Sequence, residues 1–169
     1  MVWRILFRDR ITVLIVPVAI AAGLVAASSG TAAAGYFSAM AGAWTGNGRL
    51  TLADGKGERI RCRAANKVLR GGDRLRQNLS CTSVSYKLVF TSELTYKPAA
   101  GVVTGSWREQ SQRVGGFISG PARPGRIRAF VSSESFSARV VVVTRGNRQS
   151  VTITPKGLGV REISVKLTR

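Results

Sequence analysis

Glu58-Arg59-Ile60-Arg61-Cys62-Arg63-Ala64 leads through Leu69-Arg70-Gly71-Gly72-Asp73-Arg74-Leu75 to Leu79-Ser80-Cys81-Thr82, a stretch that holds both cysteines of the chain. Paired glycines between two alternating runs signal a hairpin, because glycine enters positive φ without steric cost. With the turn centred on Gly71 and Gly72, Cys62 faces Cys81, Ala64 faces Leu79 and Val68 faces Leu75. One register therefore sets the cysteines opposite each other and gathers apolar partners on one face. Arg59, Arg61, Arg63, Arg74 and Arg76 share the other face, which is expected to be solvated.

The same period of two runs along the chain on both sides. Trp44, Leu50 and Leu52 share a parity, and Gly46 and Gly48 lie on their face, where they permit sharp bending or close backbone approach. Val84, Tyr86, Leu88 and Phe90 alternate next, followed by Val103 and Trp107, a strand at 115–120, a turn at 121–125, and Ile127, Ala129 and Val131. A valine-rich strand at 136–144 turns at Gly146-Asn147 and pairs Val142 with Val151 and Val140 with Ile153. The last strand spans about 160–167. Nine or ten short strands with glycine-rich turns between sequential neighbours predict an all-β fold: a small antiparallel up-and-down barrel, with a β-sandwich as the alternative. The only helical feature expected after the leader is a short turn at 36–40.

Gly42-x-Trp44, set after that turn and opening the first strand of a small meander, resembles the start of lipocalins and other calycins. The resemblance implies that Trp44 plugs one end of a barrel holding an apolar ligand, and that a basic side chain from a late strand covers it. The Thr-Asp-Tyr element of that family is absent midway along the chain. The Gly-x-Trp and Cys…Cys layout also resembles small exported alphaproteobacterial proteins, a resemblance that implies no activity.

Export is expected from the first 34 residues. Arg4, Arg8 and Arg10 precede an apolar run from Ile11 to Ala27, then Ser28-Ser29-Gly30-Thr31-Ala32-Ala33-Ala34, the order of a secretory signal peptide. Cleavage fits after Ala34 or after Ala41, leaving 35–169 as one barrel domain, periplasmic or secreted. The alternative is an uncleaved membrane anchor, against which stand the short run and Pro17. Without residues 1–34 the chain keeps 23 basic and 7 acidic side chains, a net charge of +16. Such a charge favours anionic envelope lipid or acidic polysaccharide as partners, although the scatter of arginine through every strand also fits a merely solvated exterior.

The residues missing from the chain restrict its chemistry. There is no histidine, which excludes Ser-His-Asp and Cys-His catalysis and histidine zinc sites. Two cysteines cannot build a four-ligand metal site, and in an exported protein they are expected to form a structural disulfide. No cofactor motif is present, since the Gly-Gly and Gly-x-Gly elements lead into no helix that could cradle phosphate. Glu109 shares the parity of Trp107, so it either faces inward or ends its strand in water. Two surfaces remain. Trp44, Tyr86, Phe90, Trp107 and Phe117 are candidates for the interior, where they line a cavity for a lipophilic ligand or fill a small core. Arg59, Arg61, Arg63, Arg74 and Arg76 are the candidate anion face. Nucleic acid is disfavoured by export and by the lack of aromatics among those arginines. The chain therefore reads as a non-enzymatic binding protein for an apolar or amphipathic molecule, with a basic interaction module of filled core as the alternative.

Overall fold

A computed structural model describes residues 35–111 and 113–169, so the expected leader at 1–34 lies outside the described residues. Ten strands follow in sequence: β1 (Gly42–Leu52), β2 (Gly57–Leu69), β3 (Arg74–Thr82), β4 (Lys87–Lys97), β5 (Val102–Glu109), β6 (Val114–Arg123), β7 (Arg126–Ser132), β8 (Ser137–Arg145), β9 (Arg148–Lys156) and β10 (Val160–Thr168). Each pairs antiparallel with its sequence neighbour, and β1 pairs with β10, so the meander closes into an up-and-down barrel. The sandwich alternative is thereby excluded. Closure leaves the ladder without an exposed edge.

The hairpin registers follow from local turn chemistry. Cys62 faces Cys81, Ala64 faces Leu79 and Val68 faces Leu75, as the glycine-centred turn predicts. Val142 faces Val151 and Val140 faces Ile153 across the second hairpin. The β2–β3 connection is longer than a two-residue turn, with Leu69 paired to Arg74 and Gly71 and Gly72 at φ 66° and 95°. The chain also departs from expectation at Pro121, which extends β6 instead of opening the turn.

Apolar residues point inward in two packed groups. Trp44, Leu50, Ile60, Ala64, Val165 and Leu167 pack with the Cys62–Cys81 bond. Phe37, Met40, Leu75, Val103, Ile127 and Ala129 form the second group. The outward positions of the strands carry Arg49, Arg61, Arg76, Arg108, Arg128, Arg139 and Lys166, all exposed. That is the reverse of a bilayer-spanning barrel, whose outer band is apolar. Among the described residues no helix is long and apolar enough to cross a membrane.

One barrel end is sealed by the segment before β1. The expected helical turn is a 3-10 turn at Ser38–Met40, and Phe37 and Met40 beside it are buried. The Phe37 amide donates to the Gly72 carbonyl, and the Tyr36 amide to the Asp73 carboxylate. A Cβ on Gly72 would stand 2.4 Å from the Gly35 Cα, so the hairpin turn must be glycine for this plug to dock.

Candidate functional site

At the plugged end, the Met40 carbonyl accepts hydrogen bonds from Trp44 Nε1 at 2.9 Å and Asn66 Nδ2 at 2.8 Å. The Asn66 carbonyl oxygen is in turn held by Gln77 Nε2 at 3.0 Å. Trp44 is fully buried, and the Arg169 guanidinium lies 5.1 Å from its ring while Arg169 Nη1 donates to the Ala41 carbonyl. Arg169 stands one residue beyond the end of β10. Trp44 closes this end of the barrel, so its indole lines no site at the other. Tyr36 stacks on Tyr96 with 3.9 Å between ring centroids, and its hydroxyl donates to the carbonyls of Arg123 and Arg126.

Burial, and after it the neighbouring Tyr96, pushes the Tyr36 hydroxyl up to about 12 from an ordinary 10.0. The sign follows: the fold favours the neutral phenol, so this stabilisation is complete below pH 10 and drains away as pH rises towards 12. Thermal melts across that window are expected to show a shallower decline for Tyr36→Phe than for the wild type. Equal slopes would show that Tyr36 does not couple plug docking to pH.

The opposite end holds a different cluster. Phe90 on β4 faces Glu109 on β5, and the Trp107 ring lies 6.1 Å from Phe90 and 5.5 Å from Phe136. Phe136 comes from the β7–β8 connection, where Ser133 Oγ accepts the Phe136 amide and Ser133 N donates to the Phe136 carbonyl. The β3–β4 connection repeats this arrangement with Ser83 and Tyr86. Trp107 faces Gly116 across the ladder, where a Cβ would stand 1.7 Å from the Ser132 carbonyl oxygen. Glycine there lets the strands bend together under the indole. Gly46 and Gly48 meet the β10 backbone in the same way, the close approach expected of them.

Trp107 is 7 % exposed, and its buried Nε1 has no hydrogen-bond partner among the described residues. Glu109 is 4 % exposed, which decides for the inward orientation, and its Oε1 accepts the Val89 amide at 3.0 Å. The carboxylate therefore replaces a backbone acceptor where the β4–β5 ladder ends.

Of the five candidate interior aromatics, the structure unites Phe90 and Trp107 and adds Phe136. Two expectations are corrected. Phe117 points outward and is 74 % exposed, because Gly116, Ile118 and Gly120 take the inward positions of β6. Tyr86 is 41 % exposed and Val84 99 %, because the serine-capped turn of 83–86 delays β4 to Lys87 and breaks the expected alternation. Phe136 escaped sequence reasoning because it looked like a strand residue. Its repeated Ser-x-Ser-aromatic context, at 83–86 and 133–136, is the signal that marks a capped turn.

The five arginines of the candidate anion face lie at outward positions, and Arg59, Arg61, Arg63, Arg74 and Arg76 are all exposed. Arg49 stands opposite Arg59 across β1–β2, whereas Arg76 is drawn to Glu93 at 2.7 Å. Glu58 points away from this row and accepts the Ser85 amide, and hydrogen bonds from Ser85 and Ser83 hold its carboxyl below the ordinary value. Among the described residues no group of three His, Cys, Asp or Glu is placed to hold a metal ion. No known family model matches the chain, and no curated protein matches it either.

Proposed function

We propose that the protein is an exported, non-enzymatic binding protein for one apolar or amphipathic small molecule, held at the barrel end opposite the plug. The observation that carries this reading is the buried Trp107 N–H, without an acceptor among the described residues and set among Phe90, Phe136 and the bent backbone at Gly116. An unsatisfied buried donor costs about 1–3 kcal/mol, and a ligand carrying one acceptor on an apolar body relieves it. The Phe136 turn is closed on itself by hydrogen bonds between Ser133 and Phe136. The opposite end is stoppered by Phe37 and Met40, which leaves one route of entry.

The buried Cys62–Cys81 bond is compatible with an oxidising, exported compartment. Cleavage after Ala34 keeps the plug, whereas cleavage after Ala41 removes the buried Phe37 and Met40 and the Met40 carbonyl that holds Trp44 and Asn66. The mature protein is therefore expected to begin at Gly35, which its intact mass checks.

A dansylated long-chain fatty acid tests the binding reading. Saturable one-to-one binding is expected, with little response to salt, since a buried apolar contact is not screened. Trp107→Ala is expected to weaken it at least about tenfold, the equivalent of ~1.4 kcal/mol. Trp107→Phe keeps ring area but drops the N–H, and is expected to cost about fivefold, the worth of one neutral hydrogen bond. Absence of saturable binding, or equal affinity in wild type and Trp107→Ala, would sink the proposal.

A further inference from the structure

The outer face of β5–β9 differs from the rest of the exterior. Its outward positions carry Arg108, Arg123, Arg126, Arg128, Arg139, Arg145, Arg148 and Lys156, and no aspartate or glutamate. Among the described residues the ion pairs are Lys56–Asp54 and Arg76–Glu93, both away from this face. Two large rings also stand on it, Phe117 at 74 % and Phe130 at 59 % exposure. Phe130 pairs across β6–β7 with Ser119, two residues from Phe117, so the rings are diagonal neighbours. Arg139 faces Phe130 on β8, its guanidinium 5.8 Å from the ring, and Val141 and Val143 continue the apolar strip beside Arg128 and Arg126.

From this juxtaposition we infer that the β6–β8 face docks on an anionic lipid bilayer. Phe117 and Phe130 enter the boundary between headgroups and acyl chains, and Arg128 and Arg139 take lipid phosphates beside them. The charge selects the partner: eight cations at outward strand positions, with Glu134 the acid of the β7–β8 connection at their end, form a surface complementary to an anionic one. The rings choose lipid over a purely polar polyanion, because their apolar area is removed from water only by an apolar phase. Arginine suits the role through bidentate phosphate contact and through stacking on aromatic rings. This face lies outside the barrel, so the inference is independent of the internal ligand.

The test is co-sedimentation of the protein, as the cell delivers it, with vesicles of phosphatidylcholine containing phosphatidylglycerol or lacking it. Binding is expected to the anionic vesicles alone and to fall as salt rises. Arg128→Thr with Arg139→Thr is expected to weaken it about 25-fold, roughly fivefold for each charge at a membrane surface. Phe117→Thr with Phe130→Thr is expected to weaken it at least about tenfold without altering the net charge, an effect that low salt does not restore. Arg59→Thr with Arg61→Thr, which removes equal charge from the far side, is expected to change it less than about threefold. These are outward positions, and an unchanged melting curve for each variant confirms that the barrel is intact. Equal losses from both arginine pairs, indifference to the phenylalanine pair, or no binding to anionic vesicles would each overturn the inference. So would rings that prove to serve self-association or single-stranded nucleic acid without vesicle binding.

Discussion

Trp44→Ala is expected to lower the stability of the barrel by about 3–5 kcal/mol, the usual cost of truncating a buried tryptophan. The indole fills the plugged end, donates to the Met40 carbonyl and supports the Arg169 guanidinium. Its loss opens a cavity under the plug and removes one of the two hydrogen bonds that the Met40 carbonyl accepts. Graded replacements separate these contributions. Trp44→Phe retains most of the apolar area and is expected to cost about 1 kcal/mol beyond its smaller volume, the worth of the Nε1 hydrogen bond. Arg169→Ala removes a cation–π contact at an exposed position and is expected to cost only about 0.5–1 kcal/mol. Urea unfolding reports all three, and a Trp44→Ala protein within about 1 kcal/mol of wild type would show that the plug is not the keystone of this end.

Joint replacement of Cys62 and Cys81 by alanine is expected to cost about 3 kcal/mol, from a closed loop with a sequence separation of 19. The bond joins residues directly opposite on β2 and β3, with Cα atoms 4.1 Å apart, and both sulfurs sit in the first core group. For a domain of this size the melting temperature is expected to drop by about 10 °C. A melt that matches the wild type would mean that the hairpin register alone constrains the unfolded chain as much as the cross-link does.

The barrel and the carrier reading depend on different parts of the molecule. The plug closes one end of the barrel, and the disulfide and the glycine-bent strands hold its wall. The cluster at the other end supplies a donor within an apolar wall. Arginine at mid-strand outward positions makes the exterior polar, and the exposed Phe117 and Phe130 interrupt it on β6 and β7. The strands of the β2–β3 hairpin carry no aromatic residue, although the exposed Val84 stands beside Arg59 and Arg61, and Arg76 is engaged by Glu93. On β6–β8, by contrast, Phe130 and Arg139 stand together.

Much of this was legible in the sequence because it is local. A period of two assigns faces without reference to the rest of the chain, and a glycine turn sets which residues oppose each other. Cys62 with Cys81, and Val142 with Val151, follow from a few neighbouring residues alone. The capped connections are equally local, yet their Ser-x-Ser-aromatic pattern alternates as a strand does, which misplaces Tyr86 and hides Phe136. Other features depended on space that no single strand defines. On β6 both parities offered bulky residues, Phe117 on one and Ile118 on the other, between glycines that fit either way. Gly116 takes the inward position opposite Trp107, where a side chain would meet the Ser132 carbonyl, and with it Ile118 turns in and Phe117 turns out. Glu109 turned inward because the end of the β4–β5 ladder left the Val89 amide in need of an acceptor. The pairing of β1 with β10 and the docking of Phe37 beneath Gly72 required the whole circuit to close first. The sequence by itself determined the alternating strands in outline, the registers of the β2–β3 and β8–β9 hairpins and the disulfide, through interactions between near neighbours. Only the closed barrel decided which rings share an interior and which face the surroundings, because that choice is made by volume and unpaired backbone groups at places far apart in the chain.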